Sequence, residues 1–163
     1  LSVSFGLIVY RTAQAIQEGK SHAEIIELAE EWVAKTKILV DIQTLEYMVR
    51  AGRVSPLKGF LARALNLKPI ITLDSEGKAA ASGKSFSRRE NMKKIVELIK
   101  RMKEKGEIWN YAVVHAQNRE RAGMYAERLI QELEQEPLYI MDTSPVVGVH
   151  NGIGAVGIGL MYK

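Results

Sequence analysis

Apolar residues recur at intervals of three and four along most of the chain, and between these stretches they form short continuous runs. The first pattern is typical of amphipathic helices and the second of short strands. The intervals predict helices over residues 5–18, 21–33, 44–50, 55–66, 87–106 and 118–135. The runs, with a turn at 74–77, predict strands over residues 38–41, 68–73, 78–85, 109–115, 138–142 and 155–162.

Boundary residues support several of these helices. Ser21 and Ser87 each precede a helix and are followed three positions later by glutamate, which is the spacing of a capping box. Gly19 and Gly52 follow helices, and a glycine at this position commonly ends the last turn in a left-handed conformation.

The order of elements predicts the fold class. After residue 66 the chain runs strand, strand, helix, strand, helix, strand, loop, strand. A hairpin combined with crossover helices predicts an α/β fold, α+β-like in character, with a mixed β-sheet and flanking helices. Residues 1–66 are predicted to be mainly helical and to cover one face, and residues 67–163 to form the sheet. We expect a single domain over residues 1–163.

The composition of the chain excludes several classes of function. The chain has 163 residues, no cysteine and a net charge of +4. Disulfides, thiolate metal sites and thiol nucleophiles are therefore excluded, and we expect a cytoplasmic protein without a stable membrane anchor. The charge is too small and too scattered to predict nucleic-acid binding. Because the chain begins at Leu1 in what reads as the middle of a connection, we expect an N-terminal portion to be absent.

The stretch from Thr143 to Gly157 departs furthest from ordinary helix or strand composition. It combines His150 with several glycines, among them Gly148, Gly152 and Gly154. Glycines lie two residues before and two residues after the histidine, which lets a ligand or backbone approach closely, and glycine-rich turns expose N–H groups that bind anions. The stretch is either an anion pocket built from His150 and nearby amides or a tight turn between two strands.

Other positions are candidates for binding. Arg53 directly follows the predicted turn at Gly52, which fixes the direction of a guanidinium suited to a carboxylate or a phosphate, unless it is an ordinary surface arginine. His115 ends a predicted strand, where it is a functional group or a core histidine. Arg88 and Arg89 open a helix, where positive charge is unfavourable. They indicate either docking of an acidic partner or a solvated basic face.

Some motifs are ruled out. The segment from Gly77 to Ser85 resembles a phosphate-binding loop but has five residues between its glycines and lies in a predicted hairpin, so we reject nucleotide binding there. No Gly-x-Ser-x-Gly elbow and no His-Glu-x-x-His motif is present. We therefore expect no metal and no cofactor.

Several motifs together resemble the DegV family, specifically its C-terminal portion. The resemblance covers essentially the whole chain. It is carried by Thr44–Tyr47, Ala51–Val54, Leu67–Ile71, Asp74, Gly77 and Pro145–Ala155.

The resemblance implies a non-enzymatic, bacterial, cytoplasmic protein that buries a long-chain fatty acid between two α/β domains. It implies that Arg53 and His150 bind the carboxylate, that Gly148, Gly152 and Gly154 belong to the pocket loop, and that the N-terminal domain is missing here. Some members of the family present the acyl chain to a separate fatty acid kinase, which phosphorylates the carboxylate for phospholipid synthesis, so the resemblance implies such a partner, and Arg88 and Arg89 are candidates for docking it.

Two other functions remain open. One is a hydrolase or transferase in which His150 acts as general base with Asp142 or Ser144 nearby. The other is a regulatory module that uses Arg88 and Arg89 to bind an acidic surface.

Overall fold

The computed structural model describes residues 3–53 and 68–163. Its helices are α1 (Val3–Gln17), α2 (His22–Lys35), α3 (Glu46–Arg50), α4 (Arg88–Lys105), α5 (Arg119–Leu133) and α6 (Pro145–Asn151). Its strands are β1 (Thr36–Asp41), β2 (Lys68–Leu73), β3 (Ala79–Ser85), β4 (Ile108–His115), β5 (Ile140–Asp142) and β6 (Val156–Tyr162).

The strands form one mixed sheet in the order β3-β2-β1-β6-β4-β5. Every neighbouring pair is antiparallel except β4 and β5, which are parallel. The connection from β4 to β5 passes through α5, as a parallel pair requires. The predicted α/β class with a mixed sheet and flanking helices is therefore confirmed.

One face of the sheet packs against α4 and α5 and holds the largest apolar core. Leu39, Ile70, Val113 and Ile158 point to this side, and the core is completed by residues such as Ile95 of α4. Alternation along β1 also places Asp41 on this side, because it lies two residues after Leu39.

Asp41 is fully buried and forms a polar network within that core. Its carboxylate accepts hydrogen bonds from Asn91 Nδ2 at 2.6 Å, from Arg121 Nε at 2.7 Å and from the Tyr125 hydroxyl at 3.0 Å. Burial, together with the charge of Asp41, raises the pKa of Tyr125, so the phenol remains a hydrogen-bond donor. The network joins β1 to both helices of this face.

Helices α1 and α2 cover part of the opposite face. Gly159 lets α1 approach β6 closely, since a Cβ atom at this position would lie 2.9 Å from the backbone nitrogen of Ser4. Arg11 of α1 lies between the rings of Trp32 and Trp109, with centroid distances of 4.9 and 4.8 Å. These contacts fix α1 against one half of the face.

Most local predictions are confirmed. Ser21 and Glu24 form a capping box, and the Ser87 side chain accepts from the backbone nitrogen of Glu90. The predicted helix at 55–66 lies outside the described residues. The part predicted to be a helical cover also supplies β1, which lies between β2 and β6 in the sheet.

The prediction of a loop between β5 and β6 is wrong. Residues Pro145–Asn151 form helix α6, in which Ser144 is the N-cap and Pro145 occupies the first turn. Ser144 and Pro145 outweigh Gly148 because the serine hydroxyl accepts a hydrogen bond from a free backbone N–H of the first turn and the proline ring fixes a helical φ.

We expect the substitution Asp41→Asn to lower the free energy of unfolding by about 3 kcal/mol, because it leaves the Arg121 charge without its buried partner. Urea denaturation measures this change. The matched control is Glu97→Gln, which removes an exposed carboxylate 3.2 Å from Arg101 and should cost less than about 1 kcal/mol. Equal effects of the two substitutions would contradict a structural role for the buried network.

Candidate functional site

A cavity of about 710 Å³ lies on the part of the sheet face that α1 and α2 leave uncovered. Val3 of α1 borders it on one side, and residues of α3 and α6 border it on the other. Its position follows from the topology, because β1, β2 and β3 extend beyond the area that the two helices cover.

The floor of the cavity is apolar. Strand residues Ile38, Val40, Ile71 and Ala79 line it, together with Ala155 at the turn into β6. Ile38 and Val40 alternate with Leu39, which packs on the other face, so β1 is apolar on both sides. The continuous apolar run Ile38–Val40 is the signal in the sequence that indicates a second apolar surface.

Arg53 lies at the rim of this cavity, in the turn that follows α3. Gly52 has a φ of 66°, and the backbone nitrogen of Arg53 donates to the carbonyl of Met48 at 2.8 Å. The backbone nitrogen of Gly52 donates to the carbonyl of Val49 at 3.0 Å. The two bonds together form a Schellman motif, which commonly ends a helix at a glycine in the left-handed conformation. The predicted turn is confirmed, and it fixes where the Arg53 side chain leaves the backbone.

His150 lines the same cavity from the last turn of α6. Its Nδ1 atom is buried and has no hydrogen-bond partner in the described part of the chain. A buried polar atom without a partner carries a desolvation cost of about 1–3 kcal/mol, which a ligand group or its bound water can remove. The structure therefore brings Arg53 and His150 to one cavity, although 97 positions of sequence separate them, and their role in binding stays a prediction.

The three glycines predicted to form the pocket loop differ in their surroundings. Gly148, Gly152 and Gly154 are not among the residues that line the cavity. Gly152 has φ 83° and ψ 161°, a conformation that only glycine adopts readily, and a Cβ there would lie 2.2 Å from the ring of Tyr47. Gly152 and Gly154 thus shape the turn that follows His150, whereas the open space at Gly148 places no such demand.

The two arginines predicted to dock a partner differ from each other. Arg89 is exposed. Arg88 is half-buried and its Nη2 atom donates to the carbonyl of Gly154 at 2.9 Å. Burial and the neighbouring charge of Arg121 lower the pKa of Arg88. The guanidinium of Arg88 is engaged within the protein, so the docking prediction fits Arg89 better.

The placement of Asp142 and Ser144 differs from the one that the catalytic alternative requires. Asp142 Oδ1 lies 3.1 Å from Nδ1 of His115, a buried histidine, and not beside His150. The Ser144 hydroxyl accepts from the backbone nitrogen of Val147 as the N-cap of α6. Within residues 3–53 and 68–163, no three acidic or histidine side chains come together as a metal site, and no helix is long and apolar enough to cross a bilayer.

We expect Gly152→Ala to destabilise the protein by more than about 3 kcal/mol, because a backbone strain of 1–3 kcal/mol adds to the clash with Tyr47. The control is Gly52→Ala, which has the same sign of φ but open space around the new methyl group, and should cost about 1–2 kcal/mol. Thermal and urea unfolding measure both. A Gly152→Ala protein as stable as Gly52→Ala would show that the turn after His150 adapts freely.

Comparison with known proteins adds to this geometry. A family model described as "Uncharacterised protein, DegV family" matches residues 1–163. Two DegV domain-containing proteins of Clostridium perfringens are 30% identical over 158 residues and 32% identical over 157 residues, covering 97% and 96% of this chain. The chain spans only 56% and 54% of their lengths.

Solved structures share the fold. DegV of Bacillus subtilis, described as a fatty acid binding protein, is 28% identical with a TM-score of 0.83, covering 98% of this chain and 57% of that one. A stearic acid-binding protein of Eubacterium ventriosum has a TM-score of 0.90 at 17% identity, covering 99% and 56%. At that identity the second likeness concerns the fold alone.

Proposed function

Because the chain belongs to the DegV family, we propose that it binds a long-chain fatty acid, with the acyl tail on the apolar floor of the cavity and the carboxylate at Arg53 and His150. The single observation that carries this proposal is that one apolar cavity is lined by Arg53, which follows a fixed turn, and by His150, whose Nδ1 atom has no hydrogen-bond partner among the described residues. The description of the Bacillus subtilis relative as a fatty acid binding protein supports it.

The cavity suits such a ligand in size and chemistry. Its volume of about 710 Å³ falls within the range of about 300–1,000 Å³ that is usual for small-molecule sites. Each buried methylene contributes about 0.8 kcal/mol, so the tail supplies most of the affinity. A charge-assisted hydrogen bond adds about 1.5–3 kcal/mol and fixes which end of the ligand lies at Arg53.

We further propose that a second domain supplies the other wall of the site. The chain covers about half the length of its relatives, and Val146 of α6, an apolar residue that lines the cavity, is 57% exposed. An acyl chain held on one side only would leave part of its surface in water, which lowers the gain from burial.

We expect the protein to bind hexadecanoic acid more tightly than hexadecanol, by about tenfold or more, because only the acid forms charge-assisted bonds at Arg53 and His150. Competition against a fluorescent fatty acid measures both affinities, and mass spectrometry of lipid that co-purifies identifies the native ligand. Equal binding of acid and alcohol would contradict the carboxylate site, and no binding of either would contradict the proposed function.

The same assay separates the head-group residues from the rest of the surface. Arg53→Met and His150→Gln should weaken binding of the acid by about tenfold each and leave binding of the alcohol unchanged. Arg89→Met, an exposed arginine away from the cavity lining, is the matched control and should change neither.

We propose that the protein is a carrier without catalytic activity and presents the bound carboxylate to a fatty acid kinase, which forms an acyl phosphate for phospholipid synthesis. Support comes from the exposed Arg89 and from Lys93 at the basic start of α4, which suit an acidic partner. The regulatory alternative uses the same surface.

With a purified fatty acid kinase, we expect fatty-acid-dependent consumption of ATP that falls about fivefold or more for Arg89→Met, because a rim charge mainly accelerates association. The effect should shrink at high salt. Arg101→Met, at the far end of α4, is the control. Unchanged rates for both variants would contradict docking at the start of α4, and hydrolysis of acyl esters without a kinase that disappears in His150→Gln would favour the hydrolase.

A further inference from the structure

The turn that follows His150 is held by a dense set of backbone bonds. The backbone nitrogen of Gly152 donates to the carbonyl of Gly148 at 2.8 Å, and that of Gly154 donates to the carbonyl of Ala116 at 2.7 Å. The backbone nitrogen of Ala116 in turn donates to the carbonyl of Ala155 at 2.9 Å. These bonds join α6 to the end of β4, so the end of α6 that carries His150 moves only with the turn.

One carbonyl in this turn is also held from the opposite side of the sheet. The carbonyl of Gly154 accepts from Arg88 Nη2 of α4 at 2.9 Å and from Nδ2 of Asn118 at 3.1 Å. A bond from a guanidinium is about twice as strong as a neutral one. Asn118 also caps α5 through its Oδ1 atom, whereas the Arg88 side chain makes no other hydrogen bond to a described residue.

The backbone of Arg88 is fixed as well. Arg121 Nη2 donates to the carbonyl of Arg88 at 2.7 Å, and Arg121 is itself paired with the buried Asp41. The side chain of Arg88 therefore extends from an anchored position to the turn. Ser87, the N-cap of α4, places it at the first residue of the helix, where a cation is unfavourable, so this position is not explained by helix stability.

We propose that Arg88 is a positioning residue: through its bond to the Gly154 carbonyl it holds the turn after α6 and thereby sets the position of the His150 imidazole at the cavity. This is a role across the sheet from the cavity, and it differs from docking. The importance of this role for ligand binding rests on the proposed function, but the position of the imidazole can be measured without any ligand.

The chain has three histidines, which makes imidazole NMR a direct test. His22 is exposed in the first turn of α2 and serves as internal reference, and His→Gln variants assign the peaks. Arg88→Met should shift the ring resonances of His150 while those of His22 stay in place. Arg89→Met, the adjacent exposed arginine, should leave both unchanged. Unchanged His150 peaks in a folded Arg88→Met protein would overturn the proposal.

Conservative variants separate the hydrogen bond from a general loss of stability. Arg88→Lys keeps a cationic donor and should return the His150 peaks more than halfway to their wild-type positions. Peaks as displaced as those of Arg88→Met would overturn the hydrogen bond as the cause. If Arg88→Met does not fold, the comparison is Arg88→Lys with Arg89→Lys, in which only the first should displace His150.

Ligand binding gives a second readout that distinguishes the two proposals. Arg88→Met should weaken binding of hexadecanoic acid by about fivefold and leave binding of hexadecanol unchanged. Absence of fatty acid binding in the wild type would defeat the proposed function, while the NMR comparison would still decide whether Arg88 positions His150. Equal weakening for acid and alcohol would mean a general structural role and would overturn the positioning role.

Discussion

The hydrogen bonds to the buried carboxylate of Asp41 are the interaction on which the rest of the structure depends. It lies at the end of a central strand and accepts bonds from both helices of one face, through Asn91 of α4 and through Arg121 and Tyr125 of α5. An ionised group is costly to bury unless its partners are complete, and here three side chains complete it. Since Arg121 also holds the backbone of Arg88, the arrangement of this core extends to the residues behind the cavity.

The sheet consequently separates two kinds of surface. The face towards α4 and α5 is closed, with a continuous apolar core and a polar network in which the Asp41 carboxylate accepts bonds from three side chains. The other face packs against α1 and α2 in one part, and beyond them the described residues leave a cavity with an apolar floor that Arg53 and His150 also line.

Local signals predicted most of the fold. The capping box at Ser21, the N-cap at Ser87 and the glycine after α3 gave helix ends that the structure reproduces, because these bonds form within a few residues. Ser144 and Pro145 carry the same kind of local signal for the start of α6, but the glycines that follow them favour a loop.

The site was predictable in part. Arg53 and His150 could be selected by residue type and by resemblance to a family, and the structure places both at the cavity. The inward direction of Arg88 could not be predicted, because its partner Gly154 is 66 positions away and local patterns carry no information on such pairs. The same holds for Asp41 and Arg121, which are 80 positions apart.

The glycines of β6 have a consequence for the dimensions of the cavity. Gly159 admits α1 to the sheet, and Gly157, two residues earlier on the same side, leaves room at the floor where Val3 closes the cavity. The depth of the cavity on this side is therefore fixed by the start of α1, whose position depends on the absence of side chains at Gly157 and Gly159. The dimensions of the cavity are set by backbone packing as much as by the side chains that line it.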